Sequence, residues 1–147
     1  MSADEAIRDR LIGTWKLLSA EREDVASGTK TDFLGAGAIG FINYSPDGRM
    51  IVLNVSGGRP KPQGAQPTAA EAEALFRSMT SYAGTYTIDG NVLTHHVEVS
   101  WNETWTGTEQ MRIARFDGDR AYLSTPPSID PITGRMSIRT MTWQKVK

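Results

Sequence analysis

The sequence predicts an all-β fold: an eight-stranded antiparallel up-and-down barrel, with a short N-terminal helix and one helix inserted between strands three and four. Most of the chain beyond residue 13 alternates apolar and polar side chains with a period of two, as strands with one buried face do. Turn sequences separate these runs, so neighbouring strands are expected to pair as hairpins. Antiparallel strands connected in this way remove their exposed edges when the sheet closes into a barrel.

The composition is that of one ordinary globular domain, and we expect a single domain over residues 1–147. Lys and Arg number 16 against 17 Asp and Glu, which leaves a net charge of −1. Nucleic-acid-binding domains normally carry a basic surface, so we expect no nucleic-acid partner. Cysteine is absent, which excludes disulfides, thiolate nucleophiles and cysteine-ligated zinc.

The sequence also predicts a location. No apolar run approaches the roughly 18 residues that span a membrane, and the acidic stretch from Met1 to Glu5 has no apolar signal-peptide core. We therefore expect a cytoplasmic protein with no membrane association.

The first predicted elements are a helix and a strand. Residues 4–12 have apolar side chains at helical spacing, with Ser2 or Asp4 as the N-cap. Residues 14–21 change to a period of two and predict the first strand, and a polar loop follows over about residues 24–37.

The second and third strands form a predicted hairpin. Residues 41–44 and 50–55 flank Ser45-Pro46-Asp47-Gly48, which has Pro and Gly where a type I turn favours them. A Gly- and Pro-rich loop over residues 57–67 follows. The side chains of this hairpin expected inside the barrel are Ile42, Tyr44, Met50, Val52 and Asn54.

A second helix and five more strands complete the prediction. Thr68 precedes Glu71 by three residues, which is the spacing of a capping box, and predicts a helix over residues 69–81. Asp-Gly pairs at residues 89–90 and 117–118 predict tight hairpins. The predicted strands are residues 82–88, 91–101, 108–116, 120–125 and 136–146.

The turns predict which side chains of the middle strands face inward. With Asp89 and Gly90 as a two-residue loop, Gly84 lies opposite His95. The loop at residues 117–118 likewise places Arg112 opposite Leu123. A β-bulge would turn His96 and Glu98 inward instead of His95. The expected inward set is Tyr82, Gly84, Tyr86 and Ile88 on the first of these strands, Leu93, His95, Val97, Val99 and Trp101 on the second, Gln110, Arg112 and Phe116 on the third, and Arg139, Met141 and Trp143 on the last.

This lining predicts a small-molecule cavity, because such cavities combine apolar walls with a few orienting polar groups. Trp101 and Trp105 could close one end of the barrel over a ligand or serve as ordinary packing. The candidate ligand-binding residues are Tyr44, Asn54, Tyr86, His95, Trp105, Gln110, Arg112, Phe116, Arg139 and Trp143.

Arg112 is the most informative of these candidates. A buried guanidinium is costly unless it is paired. Glu21 is the nearest candidate carboxylate to form an ion pair with Arg112. The alternatives are a salt bridge at the open rim, or an anionic or carbonyl-bearing ligand.

His95 is the candidate for catalysis, as a general acid or base, since the pKa of histidine lies nearest neutrality. The alternative is a histidine hydrogen-bonded inside the barrel.

His95 and His96 point to opposite faces of a strand, so we expect no metal site. Residues 35–40 match a Gly-rich dinucleotide fingerprint but follow a loop rather than a strand, so we expect no cofactor.

Several ordered segments also carry a family resemblance. They are Leu11-Ile12-Gly13-Thr14-Trp15, residues 44–50, residues 82–86, residues 95–98, the Trp105, Gly107, Gln110 and Arg112 pattern, and Met141 with Trp143. Together they resemble the bacterial and fungal lipocalin-like domain family, whose members are calycin-type barrels. The resemblance implies an eight-stranded calyx with His95, Trp105, Gln110 and Arg112 in its cavity. The chain departs from secreted lipocalins in its missing disulfide and in the position of its second helix.

The expected function is binding of a small hydrophobic or amphipathic metabolite in the barrel. One alternative is a cofactor-free isomerase, cyclase or hydratase, with His95 as acid–base group and Arg112 stabilising an oxyanion. Another is a filled barrel that serves only as an interaction module. Outward apolar residues such as Ile113 would suit a homodimer contact.

Overall fold

The chain forms a closed antiparallel β-barrel in a computed structural model that describes residues 2–131 and 133–147. The ladder between the first and last barrel strands closes the sheet, as predicted from the alternating pattern. The eight barrel strands are β1 (Gly13–Asp24), β3 (Ile39–Tyr44), β4 (Arg49–Val55), β5 (Met79–Asp89), β6 (Val92–Ser100), β7 (Glu109–Asp117), β8 (Arg120–Ser124) and β10 (Met136–Lys145).

Two short strands extend the sheet beyond the barrel. They are β2 (Lys30–Asp32), which pairs with β1, and β9 (Ser128–Ile129), which pairs with β10. The residues of β2 were predicted as loop, and those of β9 lie between two predicted strands. All their residues are exposed, so they carry no buried face from which an alternating pattern could arise.

Two α-helices accompany the barrel. In α1 (Ala3–Leu11) the N-cap is Ser2, which forms a capping box with Glu5. The second helix, α2 (Ala69–Arg77), lies between the third and fourth barrel strands, and Thr68 and Glu71 form the predicted capping box. No helix among the described residues is long and apolar enough to cross a membrane.

The second helix ends before the predicted residue 81. Residues from Met79 onward pair with β4, with Met79 opposite Val55 and Ser81 opposite Leu53. These residues therefore belong to β5 and not to the helix, because strand pairing overrides a helical pattern of apolar side chains.

Both predicted Asp-Gly turns lie one residue further along the chain than expected. The loop residues are Gly90-Asn91 and Gly118-Asp119, with φ of 63° at Gly90 and 58° at Gly118. A glycine with positive φ at the first central position is typical of a type II′ turn. His95 therefore lies opposite Tyr86 rather than Gly84, and Leu123 opposite Ala114 rather than Arg112. The register moves by two residues, so each side chain keeps its predicted face.

A β-bulge in β6 corrects the prediction for Val99. Gly84 pairs with Val97 and Ala83 pairs with Val99, so Glu98 is the extra residue. A Cβ on Gly84 would lie 1.8 Å from the carbonyl oxygen of His96, so only glycine fits this close approach. Beyond the bulge the alternation reverses, and Val99 is 62% exposed on the outer face. His95 precedes the bulge and is buried.

One end of the barrel is closed by packing around Trp15. The indole Nε1 of Trp15 donates a hydrogen bond to the carbonyl of Leu11 at the end of α1, and Phe116 packs against the same ring. Lys145 donates to the carbonyls of Arg10 and Ile12 at the helix end. Any internal space must therefore lie toward the other end of the barrel.

Candidate functional site

A cavity of about 110 Å³ lies inside the barrel. It is smaller than the roughly 300–1,000 Å³ of pockets for drug-sized ligands, and closer to the engineered cavity of about 150 Å³ that admits benzene. The predicted site residues that line it are Asn54, His95, Trp105, Arg112, Arg139 and Trp143. The other lining residues are Phe33, Leu34, Ile42, Val52, Thr80, Tyr82, Leu123, Thr125 and Met141.

Four predicted site residues lie outside this lining. Tyr44 is buried beyond His95. Tyr86 donates its hydroxyl to the carbonyl of Ser45, in the turn between β3 and β4. Gln110 donates its side-chain amide to Thr108, and Phe116 packs against Trp15 at the closed end.

Sequence reasoning missed several of the lining residues. Thr80 fell within the predicted helix, and Phe33 and Leu34 lay in the predicted polar loop. Tyr82 was placed inside by alternation, but no sequence signal pointed to a hydrogen-bonding role. The apolar character of Phe33 and Leu34 within a polar loop was the available signal, since such a pair favours contact with the core.

His95 lies at the centre of a hydrogen-bonded row of three side chains. The hydroxyl of Tyr44 is 2.7 Å from its Nε2, and the hydroxyl of Tyr82 is 2.7 Å from its Nδ1. Both ring nitrogens are therefore occupied by tyrosine hydroxyls. His95 is 2% exposed and Tyr44 is 1% exposed.

The electrostatic environment keeps this row uncharged at neutral pH. Burial, followed by the nearby charge of Arg112, lowers the pKa of His95 from 6.5 to about 3. Burial also raises the pKa of both Tyr44 and Tyr82. The imidazole is consequently neutral and both phenols keep their protons.

Arg112 brings a charge to the cavity wall. It is half-buried on β7, and its guanidinium donates one hydrogen bond, to the carbonyl of Met111 at 2.8 Å. No carboxylate among the described residues pairs with it. Glu21, one of the alternatives offered by the sequence, is exposed and forms no ion pair with Arg112. Since a guanidinium has five N–H donors, most of those of Arg112 remain free for a ligand.

Arg139, the other arginine that lines the cavity, forms an ion pair with a carboxylate. Asp130 has a fully buried side chain, 3.0 Å from the guanidinium of Arg22 and 3.5 Å from that of Arg139. The guanidinium of Arg139 also lies over the ring of Phe33, 5.0 Å from its centroid. Arg139 is therefore held in place, whereas Arg112 has no such counterion within residues 2–131 and 133–147.

Two buried polar atoms of lining residues have no hydrogen-bond partner among the residues that the structure describes. They are Oδ1 of Asn54 and Nε1 of Trp143. Asn54 packs over Gly40, where a Cβ would lie 1.9 Å from its Oδ1. Unpaired buried polar groups are rare in native proteins, and both of these atoms belong to residues that line the cavity.

An aromatic wall borders the cavity beside Tyr82. The ring of Trp105 lies 5.6 Å from that of Tyr82, and Trp101 contacts Trp105 at 5.1 Å. Phe76 of α2 lies 6.2 Å from Trp101. Trp105 thus lines the cavity, and Trp101 supports it from the side of α2.

The remaining sequence motifs have structural roles. In the Gly-rich stretch, Gly35 and Gly37 have positive φ in a turn that leads into β3. His96 faces outward and contacts Glu109 and Thr87. Among residues 2–131 and 133–147, no three His, Cys, Asp or Glu side chains are grouped as metal ligands would be.

The closed barrel, the internal cavity and the few polar groups in an apolar lining define the class of small ligand-binding β-barrels. Comparison with known families agrees with this class, because the family description "lipocalin-like domain" matches residues 12–146. The chain belongs to this lipocalin-like domain family. Such barrels generally bind small hydrophobic ligands. No curated protein matches the sequence significantly.

Proposed function

We propose that this protein binds a small amphipathic molecule in its barrel cavity. The observation that carries the proposal is the half-buried guanidinium of Arg112, which lines the cavity and has no carboxylate partner in the described part of the chain. A half-buried charge loses part of its hydration without the compensation that an ion pair would give, and a polar ligand group in the cavity would supply a partner. The unpaired atoms of Asn54 and Trp143 support the same interpretation.

The shape of the cavity supports a compact ligand. Val52, Leu123 and Met141 supply apolar surface, and a volume of about 110 Å³ suits a molecule not much larger than a small ring or a short chain. A longer ligand would have to extend out of the barrel or displace side chains of the lining. The ligand thus combines one polar end at Arg112 with a small apolar body.

The alternative of acid–base catalysis has less support. A general base must be free to take a proton, and both nitrogens of His95 are occupied by tyrosine hydroxyls. A pKa of about 3 makes its protonated form rare at neutral pH. Binding is therefore the function that the geometry favours.

Native mass spectrometry of freshly expressed protein tests the proposal. We expect a bound small molecule in the wild type, and its affinity should fall by about 1.5–3 kcal/mol in Arg112→Ala, the range of a hydrogen bond to a charged group. The matched control is Arg115→Ala, which removes an arginine from the outer face of the same strand. A wild type that carries no small molecule, or equal occupancy in both variants, would contradict the proposal.

We also propose that two copies pair through an outer apolar face of the barrel. This face lies on β3 to β6, where Phe41 pairs with Leu53 and Ala83 pairs with both Ile51 and Val99. Contiguous exposed apolar surface is typical of protein contacts. Its exposed large side chains are Ile39, Phe41, Ile51, Leu53 and Val99. A cytoplasmic location and the lack of a nucleic-acid partner stay predictions.

A further inference from the structure

The row formed by Tyr44, His95 and Tyr82 restricts where its protons can lie. A neutral imidazole has one nitrogen that donates and one that accepts. One tyrosine must therefore donate to the ring while the other accepts from it, and the accepting tyrosine has a hydroxyl proton left over. The two tautomers of His95 leave that proton in different places.

In the first tautomer the proton is on Nε2, and Tyr44 is the accepting tyrosine. Its own O–H would then need another acceptor. Tyr44 is 1% exposed, lies outside the cavity lining, and has no second hydrogen bond within the described residues. This tautomer leaves a buried donor unpaired, which is unfavourable.

In the second tautomer the proton is on Nδ1, and Tyr82 is the accepting tyrosine. Tyr44 then donates to Nε2, and Nδ1–H donates to the oxygen of Tyr82. The proton left over is that of the Tyr82 hydroxyl, and Tyr82 lines the cavity. Every buried hydroxyl of the row is satisfied once an acceptor occupies the cavity, so this tautomer is favoured.

We propose that Tyr82 is a ligand-binding hydrogen-bond donor, held in that role by His95 and Tyr44, and that with Arg112 it selects ligands bearing a carboxylate. The proposal rests on the proposed function and names the chemical class of its ligand. An ionised carboxylate only accepts hydrogen bonds, so it matches a hydroxyl donor and a guanidinium at once. Val52, Leu123 and Met141 receive the apolar part of the ligand.

The charge of Arg112 acts on Tyr44, His95 and Tyr82, which supports the interpretation that its guanidinium lies near all three side chains. It lowers the pKa of His95, and it offsets part of the rise that burial causes in the pKa of Tyr44 and Tyr82. The donor hydroxyl and the cation therefore share one electrostatic environment. His95 and Tyr44 act through Tyr82 and are positioning residues.

Matched acids and amides test the selectivity. The probes are isobutyrate, hexanoate and benzoate with their primary amides, titrated by quenching of tryptophan fluorescence, since Trp105 and Trp143 line the cavity. We expect each acid to bind the wild type about tenfold or more tightly than its amide. The amide nitrogen carries N–H donors, and these would face the O–H donor of Tyr82 and the N–H donors of Arg112. In Tyr82→Phe the acids should lose about tenfold in affinity.

Two further tyrosine variants separate positioning from packing. Tyr44→Phe removes the group that fixes the tautomer, so acid binding should weaken several-fold although residue 44 does not line the cavity. Tyr86→Phe is the matched control, since its hydroxyl bonds to Ser45 and not to His95, and it should bind the acids like the wild type. Nitrogen-15 NMR of the imidazole should show Nδ1 protonated in the wild type, with a shift toward Nε2 in Tyr44→Phe.

The outcomes distinguish this proposal from the proposed function. A wild type that binds none of the acids or amides overturns the carboxylate proposal, and the proposed function is overturned with it only when native mass spectrometry also finds no bound small molecule. Binding with equal affinity for acids and amides, unchanged in Tyr82→Phe, overturns the carboxylate proposal alone. An Nε2-protonated His95 in the wild type overturns the positioning role of Tyr44.

Discussion

His95 illustrates how environment decides what a residue can do. Its ring is enclosed in the barrel, and hydroxyls occupy both nitrogens. Burial makes the charged form unfavourable, and the cation of Arg112 adds to the effect. The residue type suggested acid–base chemistry, whereas the surroundings favour a neutral ring that fixes the orientation of two phenols.

This environment predicts how stability depends on pH. His95 has a pKa of about 3 in the folded protein and 6.5 as an ordinary value, so below about pH 6.5 the unfolded chain binds a proton that the folded one does not. Stability from the neutral ring is thus complete above about pH 6.5 and is lost as the pH falls toward 3. As the pH is lowered, the free energy of unfolding of His95→Gln should fall less steeply than that of the wild type. The two slopes should differ by up to about 1.4 kcal/mol per pH unit. Urea denaturation of both proteins from about pH 7 to about pH 4 measures this, and parallel profiles would contradict it.

The site was predictable from the sequence only as far as side-chain direction. Alternation placed His95 and Arg112 inside, and the two-residue register error preserved their faces. The row through Tyr82 was not predictable, because its members are not direct cross-strand partners. His95 pairs with Tyr86 in the ladder between β5 and β6, and Tyr44 lies on β3. The partner of Arg139, Asp130, lies in a loop, where no periodicity indicates which way a side chain points.

The second helix is the element least supported by the rest of the fold. None of its residues is buried, and Phe76 contacts Trp101 at its C-terminal end. The capping box of Thr68 and Glu71 satisfies donors at its N-terminal end. Its helical state therefore depends strongly on local interactions.

Removal of the cap should loosen this helix alone. Thr68→Ala should cost about 1 kcal/mol of local stability, because it removes an acceptor for the amide of Glu71. Amides of residues 69–77 should exchange about fivefold faster, since a difference of 1.4 kcal/mol is tenfold. Hydrogen exchange resolved along the chain checks this, with the strand β10 as internal control. Faster exchange throughout the barrel would show that the helix is coupled to the sheet.

Element boundaries show where local sequence stops being decisive. The capping box located the start of α2 because its chemistry is local. The end of the helix was misplaced because Met79 and the residues after it pair with β4. The bulge at Glu98 escaped prediction for a similar reason, since it depends on the close approach of Gly84 to a neighbouring strand.

Closure of the barrel was predictable at the scale of the whole molecule, but the size of its interior was not. Alternation and turns determine that antiparallel strands follow one another, and the ladder between β1 and β10 then removes both edges. The volume left inside depends on how inward side chains fill the space. The sequence could therefore not distinguish a filled barrel from one with a cavity of about 110 Å³.

The outer apolar face leads to a prediction about assembly. Sedimentation velocity of the wild type should show a dimer, and Leu53→Glu should shift it to a monomer, because a charge placed between Phe41 and Ser81 on the apolar face would be buried without a partner. Ile113→Glu is the matched control on the outer face of β7, and it should remain dimeric. A monomeric wild type would contradict the prediction, and dissociation by Ile113→Glu alone would assign the contact to another face.

The most direct test of the account is a methyl NMR titration with hexanoate. Along β4, Val52 points into the cavity whereas Ile51 and Leu53 point outward, so one strand carries both the probe and its control. We predict shift changes at the methyl groups of Val52, Leu123 and Met141, with those of Ile51 and Leu53 unchanged. Shift changes confined to Ile51 and Leu53 would contradict an interior site for a small amphipathic ligand. The absence of any shift change at the highest hexanoate concentration used would contradict it as well.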